Sequence, residues 1–228
     1  MDDNIHIYAG GCVGKERYAD SFAELIRELE ENRRALFDCP DEIIIRLFAQ
    51  FGKEILQDPS LVSIPGLSYL SLWLRKENLQ AIYRVNFGKA PGFSGPIPID
   101  SRYEMIHVPR GIVCHWIAGN IPLLGFFSLV LAALGKNASI LKIHPGVYNY
   151  LNPLLQKLEQ VTIEIEGVCY CGKIISSTVS LVSFPGRNED LSCLFSLSAD
   201  CRVLYGSDLA VQTISRLPHQ VYADTIVY

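Results

Sequence analysis

From Ser21 to Leu56 the chain mixes apolar and charged positions at the spacing of helices. In SFAELIRELEENRRALF (21–37) the apolar residues fall at 22, 25, 26 and 29 and again at 36 and 37, with charges between them, which predicts an amphipathic helix. DEIIIRLFAQFGKEIL (41–56) predicts a second, and a third is expected over 65–82, entered through Pro65-Gly66. NFGKAPGFSGPIPIDSR (86–102) follows. It is rich enough in Gly and Pro to be the strongest candidate for a domain boundary.

Beyond that stretch the pattern changes. Short apolar runs of strand length stand at 111–117 (GIVCHWI), 138–143 (ASILKI), 179–184 (VSLVSF), 202–205 (RVLY) and 221–228. Helical segments lie between them at 122–134, 148–159, 187–197 and 208–217. Pro122 opens the first of these and Gly135 sits just past its end, while Pro153 is expected to limit the start of the second. Strand–helix–strand repetition with short connections implies an α/β fold, a parallel sheet covered by helices on both faces. The expected organisation is an N-terminal helical region over 1–100 and an α/β domain over 101–228. Residues 161–173 break the alternation and read as a small hairpin excursion.

The longest apolar run lies inside HWIAGNIPLLGFFSLVLAALGKNASILK (115–142). A membrane-spanning helix needs about 20 apolar residues. Leu123–Leu134 is too short, and Gly119-Asn120 and Gly135-Lys136-Asn137 punctuate its ends, so a helix buried in a soluble protein is expected, not an integral membrane segment. With 49% hydrophobic and 19% charged residues in 228, the chain can bury a sizeable core. The net charge of −4 and the lack of a long basic run argue against nucleic acid as partner. The seven cysteines (12, 39, 114, 169, 171, 193 and 201) are odd in number and scattered, mostly in apolar segments. They imply free thiols in a reducing, cytoplasmic compartment. The start, MDDNIHIYAGG, is acidic and lacks the apolar core of a signal peptide.

Open parallel sheets bind ligands beyond the carboxyl ends of their strands, and three such ends stand out. In WIAGNIP (116–122) Gly119 permits a tight turn, and the Asn120 amide either caps a helix or donates to a developing oxyanion. In LKIHPG (141–146) Lys142 closes an apolar strand; it either snorkels at an exposed edge or reaches a hydroxyl or phosphate. In VLYGSDLAVQTI (203–214) the Gly206-Ser207 turn opens a helix, whose N-terminus is a ready phosphate site, although Ser207 and Asp208 are also ordinary caps. His115, between Cys114 and Trp116, reads as a satisfied core histidine. Cys169-x-Cys171 lacks a second pair at zinc spacing, so no metal site is expected. GGCVGK (10–15) is too short for a P-loop, and no convincing Ser/His/Asp set is visible.

Four segments in order tie these ends together: PRGIV (109–113), GNIP (119–122), GKNASILK (135–142) and ADCRVLYGSDLAVQTI (199–214). They resemble the aldehyde dehydrogenase superfamily, and within it the acyl-CoA reductase family that includes the LuxC-type fatty-acyl-CoA reductases of bacterial luminescence. The resemblance covers residues 100–228 well and the N-terminal helices loosely. It implies the Rossmann-like parallel sheet of that superfamily's cofactor domain. Asn120 corresponds to the oxyanion-stabilising amide, Lys142 to the lysine on the adenosine ribose or its 2′-phosphate, and Gly206 and Ser207 to the turn that receives the pyrophosphate. The implied activity is NADPH-dependent reduction of a (long-chain fatty) acyl-CoA to an aldehyde: a cysteine thiolate takes the acyl group and a nicotinamide hydride reduces it. Family members are much longer, with the nucleophilic cysteine in a separate second half. None of the seven cysteines falls at that place. The chain is therefore expected to be an NADP-binding part, inactive alone, whose partners are an acyl-CoA and a missing C-terminal half or further copies in a homo-oligomer. The alternative is a non-catalytic remnant that binds a nucleotide or a partner subunit.

Overall fold

The computed structural model describes residues 22–88, 92–93 and 95–228, and the backbone of 6–8 and 16–18. Cys12 and the GGCVGK segment lie outside the described residues. Two short strands come first, β1 (His6–Tyr8) and β2 (Glu16–Tyr18). Helices α1 (Phe22–Asp38) and α2 (Asp41–Glu54) stand where the apolar spacing predicts them. The third expected helix is two, α3 (Leu67–Trp73) and α4 (Lys76–Phe87). Arg75 is extended between them (ψ 141°), and Asn78 Nδ2 donates to the Leu72 carbonyl (2.9 Å), satisfying one orphan acceptor at the end of α3.

A two-residue pair, β3 (Ile97–Pro98) and β4 (Glu104–Met105), leads into the alternating region. There follow β5 (Ile112–Trp116), α5 (Leu124–Leu134), β6 (Ala138–Lys142), α6 (Pro145–Gln160), the hairpin β7 (Thr162–Ile165) and β8 (Val168–Cys171), α7 (Lys173–Ser176), β9 (Val179–Ser183), α8 (Glu189–Leu197), β10 (Cys201–Leu204), α9 (Asp208–Ser215) and β11 (Asp224–Val227). The sheet order is β11-β10-β5-β6-β9-β1-β2. The five strands from the alternating region are mutually parallel, as predicted. The antiparallel β1 and β2, which no periodicity announced, extend the sheet beyond β9.

Strand alternation sends successive side chains to opposite faces. Ile112, Cys114 and Trp116 of β5 and Ala138 and Ile140 of β6 pack with Phe22, Leu25 and Leu29 of α1 and Phe195 of α8. Leu141 of β6 and Val179 and Leu181 of β9 face the larger core, where α2, α3, α5 and α6 meet through Phe48, Phe51, Leu70, Phe126 and Leu154. The result is three layers, helix–sheet–helix. Arg202, buried in β10, donates to Thr225 Oγ1 (3.0 and 2.8 Å) and Ser196 Oγ (3.2 Å), tying α8 and β11 to the sheet.

Three local expectations shift. Helix α5 begins at Leu124, because Pro122 lies inside a turn closed by Leu124 N to Ile121 O (3.2 Å). The left-handed residue after α5 is Lys136 (φ 59°), while Gly135 is at φ −86°. Helix α6 begins at Pro145, and Pro153 lies within it. A mid-helix proline costs about 3 kcal/mol or more. Burial of Leu151, Leu154, Leu155 and Leu158 around it, at about 1.5–3 kcal/mol each, outweighs that. Among the described residues no helix is long and apolar enough to cross a membrane.

Candidate functional site

Strand register sets the frame of the site. Val182, Lys142, Trp116 and Leu204 form one continuous row across β9, β6, β5 and β10. The chain leaves each of these strands just beyond the row, on the same edge of the sheet. The loops of Asn120, His144 and Gly206-Ser207 therefore emerge side by side. Neighbouring strands are about 4.8 Å apart, so Leu204 and Lys142 are separated by roughly 10 Å.

Asn120 is exposed in the turn after β5. The residue capping α5 is Leu123, with no side-chain cap, so Asn120 does not serve as the N-cap. Its amide has no hydrogen-bond partner among the described residues. The loop is held by Ile117 N to Lys142 O (3.1 Å) and by close approach of Gly119, where an added Cβ would stand 3.3 Å from His144 Cβ.

Lys142 is half-buried at the end of β6. Its Nζ lies over the Phe184 ring, 4.7 Å from the centroid, a cation–π distance. Burial pushes its pKa below the ordinary lysine value. It has no carboxylate partner among the described residues, and segments 142–146 and 182–186 contain no Asp or Glu. His144 caps α6, its Nδ1 accepting from Gly146 N at 3.2 Å. Ser207 caps α9 through Oγ and Ala210 N (3.4 Å), on an exposed turn. Tyr205 N bonds Trp116 O (3.0 Å), fixing this turn to β5.

Sequence reasoning passed over Phe184 and His144. The only signal for them was the repeated aromatic-Pro-Gly form of FPG (184–186) and HPG (144–146) after two strands. His115 is the satisfied core histidine expected: Nδ1 lies 2.7 Å from Ser128 Oγ and Nε2 lies 3.1 Å from Ser139 Oγ. Burial pushes its pKa down to about 3, so the ring is neutral.

The six described cysteines are all free. Cys39, Cys114 and Cys201 are buried, and that burial raises their pKa values, which suppresses the thiolate. Cys169 and Cys171 lie on the hairpin strand β8 and Cys193 on α8, none of them in the loops that carry Asn120, Lys142 and Ser207. Among the described residues no cluster of His, Cys, Asp or Glu could hold a metal ion.

Beyond three adjacent strand ends the sheet carries the Asn120 amide and the Lys142 ammonium, neither with a polar side-chain partner among the described residues, and the serine-capped helix α9. Among solved structures, 3,6-anhydro-L-galactose dehydrogenase in complex with NAP superposes with a TM-score of 0.63 at 16% identity, over 98% of this chain and 48% of that one. The NAD-dependent benzaldehyde dehydrogenase of Corynebacterium glutamicum gives 0.61 at 15% identity, over 99% and 51%. Gamma-glutamyl phosphate reductase of Thermotoga maritima gives 0.56 at 11%, over 88% and 53%. The chain thus spans about half the length of these proteins. No curated protein sequence matches it. Residues 42–228 match the acyl-CoA reductase (LuxC) family, and the chain belongs to that family.

Proposed function

We propose that this chain is the NADP-binding part of an acyl-CoA reductase that forms aldehydes from long-chain fatty acyl-CoA in the cytoplasm. The observation that carries the reading is the alignment of Asn120, Lys142 and Gly206-Ser207 beyond one row of the sheet. A bound NADPH would supply the hydride. Lys142 would meet a phosphate or ribose hydroxyl of its adenosine, and the absence of carboxylates in 142–146 and 182–186 favours the 2′-phosphate of NADP over a bare ribose. Gly206, with no side chain, and the N-terminus of α9 would receive the pyrophosphate. Asn120, its amide without a partner among the described residues, would donate to the oxygen of the acyl carbonyl as negative charge develops there.

The same loop offers an apolar surface for the acyl chain. Phe127, in the first turns of α5, stacks edge-on with Trp73 (5.0 Å) and with the exposed Tyr69 (5.9 Å), and Ile121 beside Asn120 is exposed. The thiolate that carries the acyl group is not supplied by the described cysteines. Residues 101–228 hold the dinucleotide, and turnover requires a nucleophile from a second half or a partner chain.

The test is calorimetric titration of the 228-residue chain with NADPH and NADH, beside an assay of NADPH consumption with a long-chain acyl-CoA. The expected affinity for NADPH is weak, hundreds of micromolar to millimolar, about −4 to −5 kcal/mol. Lys142→Ala should remove most of it, and no acyl-CoA should be reduced. Steady turnover would refute the division of labour. No binding, with Lys142→Ala indistinguishable from wild type, would leave the non-catalytic remnant.

A further inference from the structure

The hairpin β7–β8 is not part of the alternating core and has no role in the dinucleotide site. It turns through Glu166 (φ 52°) and Gly167 (φ 78°), the two positive φ values of a type I′ turn. Its hydrogen-bond phase follows from one contact. Gly172 N donates to Val161 O (2.8 Å), so Val161 and Gly172 face each other as a bonded pair. Antiparallel ladders alternate bonded and non-bonded pairs. With the register Thr162–Cys171, Ile163–Tyr170, Glu164–Cys169 and Ile165–Val168, the bonds to β8 are made by Ile163 and Ile165. The N–H and C=O of Thr162 and Glu164 point the other way. They have no backbone partner among the described residues.

That free edge opens onto a cavity of about 1010 Å³. All four residues of β7 line it, as an edge-on strand must. The facing wall is α2, which presents the small residues Ala49 and Gly52 between Arg46 and Lys53. Arg75, Lys76 and Glu77 also line it, so that with Arg46 and Lys53 the cations of the lining outnumber the carboxylates of Glu77 and Glu164. Arg46 and Lys76 are both bound to Glu42 (2.8 and 2.6 Å). Lys53 and Arg75 have no carboxylate partner among the described residues.

We propose that this cavity is a docking site for an extended acidic segment of a partner polypeptide, which adds as a strand to the free edge of β7 and sets its carboxylates against Lys53 and Arg75. Strand addition meets the outward amides and carbonyls of Thr162 and Glu164, the part of the site that a small anion leaves unused. The unpaired cations select the charge of the segment. An exposed edge left without such a partner is an aggregation hazard, which the charge of Glu164 limits.

The probe is the capped peptide Val-Asp-Val-Asp-Val-Asp, titrated into the full isotope-labelled chain and followed by amide NMR. Binding should slow hydrogen exchange at the Thr162 and Glu164 amides and leave Ile163 and Ile165 unchanged. Glu164→Pro removes one outward N–H and keeps the bonds to β8, since proline is tolerated where an edge N–H faces out. It should weaken the peptide about tenfold, and Lys53→Ala with Arg75→Ala should weaken it about tenfold as well, in both cases with Tm within a few degrees of wild type. Failure of the peptide to bind would overturn the proposal. So would unchanged affinity in the lysine–arginine double variant, which does not touch the strand, or inorganic pyrophosphate binding in the cavity more tightly than the peptide.

Discussion

The ammonium of Lys136 lies 3.0 Å from a carboxylate oxygen of Asp41, with both side chains largely withdrawn from solvent. The same ammonium donates to the carbonyls of Leu36 (3.2 Å) and Cys39. Asp41 in turn accepts from the Tyr83 hydroxyl, and burial together with that carboxylate raises the tyrosine pKa. One lysine after α5 thus pins the end of α1, the start of α2 and, through Asp41, α4. Removing one member of a buried pair costs about 3–5 kcal/mol. Lys136→Met should lower urea stability by that amount, and Lys136→Met with Asp41→Asn should recover part of it. A loss within about 0.5 kcal/mol, typical of surface sites, would show that the pair does not hold these helices.

His115 gives the protein an acid-sensitive term. Its folded pKa is about 3 and its unfolded value 6.5. Between those values the unfolded chain binds more protons, so stability falls as pH falls, by up to about 1.4 kcal/mol per pH unit, and above 6.5 the term vanishes. His115→Asn keeps a donor and an acceptor for Ser128 and Ser139 but does not titrate. Its stability should therefore decline less steeply between pH 6 and 4, measured by urea unfolding at each pH. Equal slopes would contradict a buried neutral ring.

Lys142 carries a desolvated charge with no carboxylate partner among the described residues. Its folded pKa lies below 10.5, so in the window between the two the unfolded chain binds more protons and stability rises with pH. Lys142→Met removes the cost at neutral pH and keeps contact with Phe184. It should raise Tm and, on the proposed function, remove most of the NADPH binding, both read by thermal unfolding with and without NADPH. A fall in Tm would place the lysine among the residues that hold the fold.

Gly111 stands at φ 128°, donates its N–H to Asn137 Oδ1 (3.0 Å), and leaves room for the Asp200 carboxylate that accepts from Ile112 N (2.8 Å). An added Cβ would overlap that carboxylate. Gly111→Ala should cost about 2–3 kcal/mol, from backbone strain and a displaced, partly buried acceptor. Differential scanning calorimetry measures it, and a change under about 0.5 kcal/mol would refute the close approach.

The sequence by itself determined the alternating elements and the three strand ends. Apolar runs, helix periodicity and the turn residues Gly119, Gly206 and Ser207 act within a few neighbours, so Asn120, Lys142 and Gly206-Ser207 stand out as candidates in short windows, while their proposed roles come from the family resemblance. His115 was legible for the same reason, since an apolar run buries whatever it contains. Tertiary structure decided what those windows cannot hold. The row Val182–Lys142–Trp116–Leu204 exists because β5 takes β6 and β10 as neighbours, a pairing between residues far apart in the chain. The addition of β1 and β2 beside β9 is of the same kind. Pro153 stays inside α6 because its leucines are buried against other helices, and the left-handed Lys136 is held where its ammonium finds Asp41, nearly a hundred residues earlier in the chain. Local propensities are worth tenths of a kcal/mol per residue, and burial and ion pairing are worth several. Where the two conflicted, the long-range terms won.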